Sequence, residues 1–342
     1  MNDASCASEP RPRKTCEGKN PYYQGPVTDH FDGTRFFNPQ GAPDKTLRDV
    51  LRWRLSSRFA RWPKQVAVET AVPEARVGGC RVTMVGHATV LLQVAGLNIL
   101  TDPVWSNRAS PLRFVGPRRV TAPGIRFDDL PPIDAVLLSH SHYDHLDVRT
   151  LARLHRRDRP LIVTPLGNDT ILRRALGDVR VSVGDWGTHV DITAQARVTL
   201  VPANHWSARG TRDRRMALWS GFVLRAENAL IYFAGDTGYG DGGIFHRIRR
   251  DHGAPDLALL PIGAYAPRWF MQPQHADPED AVQIMLDIEA RQAVAIHWGC
   301  FQLTDEPREE PPRRLAQALA ARGIAPHRFQ ALEAGAALDL DA

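Results

Sequence analysis

This chain of 342 residues holds only four cysteines, Cys6, Cys16, Cys80 and Cys300, and no two of them stand at zinc-finger spacing. That argues against a disulfide framework, removes a cysteine-built metal site and suits a reducing compartment. Long apolar runs are missing as well. The longest, residues 90–100 and 257–266, are too short to cross a bilayer and are interrupted by Gln93, Asn98 or Pro261. The first twenty residues lack the apolar core of a secretory signal. Lysine is nearly absent: four of the 43 basic residues are lysine and the rest arginine. The arginines cluster at Arg108, Arg113, Arg118 and Arg119, at Arg153, Arg156 and Arg157, and at Arg209, Arg212, Arg214 and Arg215. A net charge of +5 is too thin over this length for a nucleic-acid footprint. The clusters suit solvated faces or a surface drawn to phosphate-bearing lipid. The expected location is the cytoplasm, at most peripheral to a membrane.

Composition divides the chain into a flexible leader over residues 1–25, an N-terminal extension packing on the core over 26–75, and the main domain over 76–342. The extension carries a helix over 46–59. Short apolar runs then read as strands at 81–85, 90–94, 98–101, 134–139, 161–164, 179–183, 197–201, 219–224, 229–234, 257–261 and 293–296. Helical spacing marks 146–154, 170–176, 278–289 and 311–322. Residues 106–129 form a Pro- and Arg-rich loop longer than compact domains usually tolerate without a use for it. Mixed strands with helices on both outer faces predict an α/β fold, a four-layer αββα sandwich of two mixed sheets.

The most informative segment is His140-Ser-His-Tyr-Asp-His145. Three imidazoles and a carboxylate crowd one loop between a buried strand and a helix, and this donor set suits a borderline metal such as zinc. Open α/β folds place their sites at such strand ends. Three later strands end in residues of the same kind: the run from Val198 in His205, the run from Ile231 in Asp236, and the run from Ala293 in His297. Any one of these alone would more often be a core histidine or a capping aspartate; four placements together argue for a shared centre. His87 also follows a strand and is expected to orient a ligand. His30, His155, His189, His246 and His252 read as structural.

The chain here resembles the metallo-β-lactamase superfamily, and more narrowly its N-acylphosphatidylethanolamine-hydrolysing phospholipase D branch. The resemblance is carried by Gly86-His-Ala-Thr-Val90, Leu100-Thr-Asp-Pro103, the 140–147 motif and Phe233-Ala-Gly-Asp-Thr-Gly-Tyr239. Pro261-Ile-Gly-Ala-Tyr265, Pro267-Arg-Trp-Phe-Met271, Gln274-His275 and Ala295-Ile-His-Trp-Gly299 extend it over roughly residues 30–335. It implies two zinc ions, one on His140, His142 and His205 and the other on Asp144, His145 and His297, with Asp236 between them. It implies a phosphodiesterase that releases N-acylethanolamine and phosphatidic acid by attack of a hydroxide shared between the ions. Asp144, Asp236 and His275 would be the catalytic groups, with His275 bonding the phosphoryl group or protonating the leaving oxygen. Tyr265, Trp269, Gln274 and His275 would face substrate. Trp105, Tyr265, Trp269, Phe270 and Met271 either wall an acyl groove or belong to the core. Asp102 and Asp147 are expected to hold ligand imidazoles, Cys300 to be buried and inert, and Arg209–Arg215 to rim the pocket. A phospholipid at a membrane surface is the implied partner, a homodimer is allowed, and nucleic acid is not expected. Lactone, amide or cyclic phosphate substrates remain the alternative, since fold does not set substrate. A non-catalytic lipid- or metal-binding module fits less well, because it has no need of all seven donors.

Overall fold

Val-, Ile- and Leu-rich runs build the frame of this protein, whose computed structural model describes residues 19–227 and 229–340. The leader expected over 1–25 lies mostly outside the described residues. The first sheet contains β1 (Cys80–Gly86), β2 (Thr89–Val94), β3 (Leu97–Thr101), β4 (Ala135–Leu137), β5 (Leu161–Pro165) and β6 (Val181–Gly184). The second contains β7 (His189–Thr193), β8 (Ala196–Val201), β9 (Gly221–Ala226), β10 (Ala229–Phe233), β11 (Leu257–Pro261), β12 (Gln292–Ile296) and β13 (Phe329–Gln330). The last strand, β14 (Ala337–Leu340), returns to the free edge of β1. The orders are β14-β1-β2-β3-β4-β5-β6 and β13-β12-β11-β10-β9-β8-β7.

The two sheets repeat one plan. β1 to β3 run antiparallel and β3 to β6 parallel; β7 to β10 run antiparallel and β10 to β13 parallel. Strand period sorts the side chains. Leu92, Ile99, Leu137 and Val163 face Leu200, Phe222, Phe233 and Leu259 across the inter-sheet core. Their neighbours Leu91, Leu100, Val136 and Ile162 point outward to Leu151, Leu154 and Leu172. These last belong to α2 (Val148–Arg157) and α3 (Asn168–Leu176). On the opposite outer face α4 (Gly243–His252), α6 (Pro278–Asp287) and α7 (Glu310–Ala321) cover the second sheet through Phe245, Met285 and Leu315. Each fully buried side chain of this size contributes about 1.5–3 kcal/mol. The expected four layers are present.

Local chemistry sets the helix starts. Asp277 and Asp280 form a capping box with Pro278 in the first turn of α6, and Asp147 caps α2 through the Arg149 amide. The helix of the N-terminal extension, α1 (Leu47–Ser56), opens on a Thr46–Asp49 capping box and is shorter than the expected 46–59. Phe31 and Phe36 of the same extension are fully buried against Ala203, Leu218 and Trp219. Four differences from the sequence reading have physical causes. β8 ends at Val201 as the 197–201 run predicts, but His205 lies beyond its end rather than at it, because Pro202 has no amide to continue the ladder. α4 is Arg-rich after a glycine turn, which hides its short apolar stripe of Ile244, Phe245 and Ile248. β7, β13 and β14 are short edge strands with weak alternation. α5 (Arg268–Met271) is a single turn, below the length that periodicity can reveal.

Candidate metal centre

The strands that carry the expected donors all run toward one edge. β4 leads directly into the 140–145 loop; His205 follows β8, Asp236 follows β10 and His297 follows β12. β8 and β10 are both antiparallel to β9, and β10, β11 and β12 are mutually parallel, so three ends of the second sheet meet the end of β4 in the first. The turn before Asp236 needs glycine. Gly235 has φ of 59°, and a Cβ there would lie 2.8 Å from the Ser139 Cβ.

The structure brings all seven donors together. His140 Nε2 lies 2.9 Å from His142 Nδ1, which lies 3.2 Å from His205 Nε2. Asp144 Oδ2 lies 3.4 Å from His145 Nε2 and 3.3 Å from His297 Nε2. Asp236 Oδ2 stands between the groups, 3.2 Å from His145, 3.0 Å from His297 and 3.7 Å from His205. Imidazole nitrogens this close cannot all be satisfied by one another's protons. His145 Nε2 and Asp236 Oδ1 are buried with no hydrogen-bond partner. A buried set of nitrogen and carboxylate donors, left unpaired at its centre, fits a divalent cation of the zinc class.

The electrostatics agree. Burial, reinforced by neighbouring imidazoles, holds His140 well below the usual histidine range. Burial also prevails over Asp236 at His205, held well below that range, and over Asp144 at His142, brought to about 4. Burial alone would also depress His145 and His297, but Asp236 and Asp144 prevail, lifting His145 well above its ordinary value and His297 to about 9. Burial works against ionised Asp144 and Asp236, yet the imidazoles hold both carboxyls well below their usual range. Neutral imidazole and ionised carboxylate are the ligating forms, so a cation held by this set would take the place of the protons on His145 and His297.

A ring of supports fixes the donors. Asp102 accepts from His145 Nδ1 at 2.6 Å, from the Ser139 amide at 2.7 Å and from the Ser139 hydroxyl at 2.5 Å. Ser139 Oγ also meets His140 Nδ1 at 2.9 Å, and the Gln274 carbonyl accepts from His205 Nδ1 at 2.9 Å. His87 Nε2 reaches Asp144 at 3.0 Å. Asp102, His87 and His297 all have positive φ (32°, 59° and 61°), strain of the kind that packed surroundings hold at functional sites. Asp147 is a correction: its carboxylate holds the Ser106 amide, the Arg149 amide and the Thr150 hydroxyl rather than an imidazole. Arg209 does not rim the pocket either. Its guanidinium bonds the Ser141 and Leu146 carbonyls and lies over the Tyr143 ring, bracing the motif loop from behind. Cys300 is buried under Gly86, and burial raises its thiol pKa, so it is inert.

A cavity of about 720 Å³ opens beside the centre, with His205, Gln274 and Trp269 in its wall. His275 is not in that wall; it stands behind Gln274 beside the donors, its ring centroid 5.1 Å from His205 and 5.5 Å from His297. The α5 turn places it: the His275 amide bonds Met271, and Arg268 bonds the His275 carbonyl. Burial depresses His275 to about 4, so its imidazole is neutral, and its Nδ1 is buried without a partner. Tyr265 is a correction, being buried with its hydroxyl on Glu310 and away from the cavity. Trp105, Phe270 and Met271 lie outside the wall too, leaving Trp269 from that group. Sequence reasoning missed the opposite wall, residues 37–45 of the N-terminal extension, together with Trp206 and Tyr239. Only the aromatic pair Phe36-Phe37 hinted at a packed segment there.

Residues 97–298 match the family described as the β-lactamase superfamily domain. A Caenorhabditis elegans protein named N-acyl-phosphatidylethanolamine-hydrolyzing phospholipase D 1 is 38% identical over 71% of this chain and 71% of its own length. The Saccharomyces cerevisiae protein of that activity, named as mitochondrial, is 35% identical over 73% of this chain and 54% of its own length. Among solved structures, a possible metal-dependent hydrolase from Veillonella parvula superposes with a TM-score of 0.61 at 16% identity, over 77% of this chain and 100% of that one, a likeness of fold. This chain belongs to the β-lactamase superfamily of metal-dependent hydrolases, in the branch that resembles the N-acylphosphatidylethanolamine-hydrolysing phospholipases D.

Proposed function

We propose that this protein is a dizinc phosphodiesterase of phospholipase D type, hydrolysing N-acylphosphatidylethanolamine or a closely related phospholipid. The observation that carries the reading is the convergence of seven donors beside His275 at one end of a cavity with aromatic and cationic walls. The names of the two phospholipase relatives support the same substrate class. His140, His142 and His205 would hold one ion, Asp144, His145 and His297 the other, and Asp236 would serve both. When bound, the pair supplies an acidified water and Lewis-acid neutralisation of charge on phosphoryl oxygens.

The chain's own groups do the rest. Asp102, Ser139 and the Gln274 carbonyl set which nitrogen of His145, His140 and His205 faces the centre. His87 steadies Asp144. Water oxygen joins phosphorus, the bond to the alcohol oxygen breaks, and that oxygen takes a proton, leaving phosphatidic acid and N-acylethanolamine. His275 offers a hydrogen bond at the phosphoryl or leaving oxygen from a neutral ring. Arg214, its guanidinium 3.6 Å from the Trp206 ring centroid, and Arg215 supply positive potential in the cavity wall, and Trp269 and Trp206 supply apolar surface. The test is an assay of zinc-loaded protein on N-acylphosphatidylethanolamine in mixed micelles. Equal molar release of the two products is expected; hydrolysis of lactones with no phospholipid turned over would overturn the reading.

A further inference from the structure

The arginine-rich segment after the donor His205 divides in two. Arg214 and Arg215 pair with Asp44 in the cavity wall, whereas the Arg209 guanidinium bonds the 140–145 loop. A single nitrogen, Nη1, donates to the Ser141 carbonyl and to the Leu146 carbonyl, both at 2.9 Å. These carbonyls enclose His142, Asp144 and His145, so one side chain ties the two ends of the donor loop together. Ser141 and Leu146 are buried, and a buried carbonyl needs a donor. The tie is itself held. The guanidinium carbon lies 4.0 Å from the Tyr143 ring centroid, and the Tyr143 hydroxyl donates back to the Arg209 carbonyl at 2.9 Å. Asp213 accepts from the Arg209 amide at 3.1 Å, from the Gly210 amide at 2.7 Å and from the Tyr22 hydroxyl at 2.7 Å.

Electrostatics run against this placement. Burial pulls the Arg209 guanidinium below its ordinary pKa, and among the described residues Asp147 and Asp213 act on it only from beyond ion-pair distance. Arg308, which braces the turn after His297 through the Gly299 carbonyl, has its charge offset by Glu333 at 2.8 Å. Arg209 has no such offset. A positive charge beside a set of cation donors weakens their hold on metal, so its contribution there is not its charge. What the guanidinium offers instead is a rigid planar fork of N–H donors that fixes the carbonyls it bonds. We infer that Arg209 is a positioning residue of the metal centre: by tying Ser141 to Leu146 it holds His142, Asp144 and His145 at the spacing that binds a divalent cation. The inference rests on the dizinc reading and goes beyond it, giving the spacing of the loop to a side chain that bonds none of the seven donor side chains.

The test needs no substrate. Zinc affinity of the full-length, metal-stripped protein is measured by competition with a chromogenic chelator. Arg209→Met removes the donors and the charge together and should weaken zinc binding about 10- to 100-fold. An arginine that acted by charge alone would give the opposite sign, so tighter zinc binding in this variant overturns the inference. Arg209→Lys keeps the charge without the fork and should weaken binding by about three- to tenfold; wild-type affinity in that variant overturns the inference too. Arg209→Ala should regain part of its lost affinity when ethylguanidinium is added, which a general loss of stability would not do. Amide hydrogen exchange across residues 140–146 of the metal-free protein reads the tie without zinc, and it should quicken in the Met and Lys variants while the sheets keep their protection. A wild type that takes up no zinc, with loop exchange still quickened in the variants, defeats the dizinc reading alone. A wild type that binds zinc, with affinity and exchange unchanged in both variants, defeats the positioning role alone.

Discussion

The two walls of the cavity are built by opposite means. On one side the donors sit beyond strand ends, five of the seven buried, and three of them are held by a second group: Asp102 on His145, Ser139 on His140, the Gln274 carbonyl on His205. On the other side residues 37–45 hang between two attachments, buried Phe31 and Phe36 behind them and α1 ahead. That wall is tied to the core by single contacts: Asn38 to the Ala203 carbonyl, Lys45 to the Trp269 carbonyl, Asp44 to Arg214 and Arg215. Buried, cross-braced groups hold geometry to the tolerance that chemistry needs. Loosely tied surface segments have low local stability and suit selection and access. On the proposed function, reaction belongs to the sheets and substrate choice to the extension.

Changes on the rigid side should therefore be severe and should act on metal and turnover together. Asp236→Asn is expected to lower turnover roughly a thousandfold or more, because its carboxylate faces both donor clusters. Metal analysis of the purified variant should show the matching loss, with the far-ultraviolet spectrum unchanged. Asp102→Asn comes next. It removes the acceptor that orients His145, so zinc affinity should fall about 10- to 100-fold, with activity partly restored by excess zinc. Full zinc affinity in that variant would show that packing alone, without Asp102, holds the loop.

What was readable in the sequence follows the same division. The 140–145 motif carries four donors in six residues, and the three donors of the second sheet each follow an apolar strand, so period and residue type sufficed to find them. The four layers were readable for the same reason, since buried strands are near-continuous apolar runs, as in β11. The supports divide. Asp102 and Asp147 look alike in sequence, each an aspartate beside a site element, yet Asp147 is spent on the α2 cap and Asp102 on His145. Only three-dimensional neighbours separate them. Tyr265 resembled a substrate group because it lies in a distinctive motif, and tertiary packing took it for a bond to Glu310 instead. The second wall was not legible at all. Residues 37–45 carry no periodicity, and their role comes from where Phe31 and Phe36 anchor the chain.

Milder effects are expected on the flexible side. Asp44→Asn removes the carboxylate that offsets Arg214 and Arg215, leaving the cavity wall more positive. An anionic phospholipid should then bind better, lowering KM about two- to fivefold with kcat within about twofold. A fall in kcat at unchanged KM would erase the proposed division, since it would place this wall in the chemistry.

The smallest effect concerns how the extension is pinned at its far end. His30 stacks on Trp186 with ring centroids 4.4 Å apart, and its two nitrogens meet Asp185 at 2.7 Å and Asp29 at 2.5 Å. Burial disfavours its charge, but the Asp185 and Asp29 carboxylates outweigh that and raise its pKa above the ordinary value. A histidine whose folded pKa is raised contributes stability fully present below the unfolded value of about 6.5 and lost as pH climbs through the folded one. The extension should thus be held most firmly in mildly acid solution and loosen above about pH 6.5. Asp29 is exposed and Asp185 partly so, which screens the pair and limits the shift in thermal midpoint to about 2 °C or less. Limited proteolysis is the more sensitive measurement, because a local attachment can open without global unfolding. Cleavage between residues 19 and 45 should quicken as pH rises in the wild type and lose that added pH dependence in His30→Gln. The metal centre should keep its zinc throughout, since the Phe31 and Phe36 anchor and the sheet edges do not titrate with His30. Zinc release in step with that cleavage would show that the two walls are one cooperative unit.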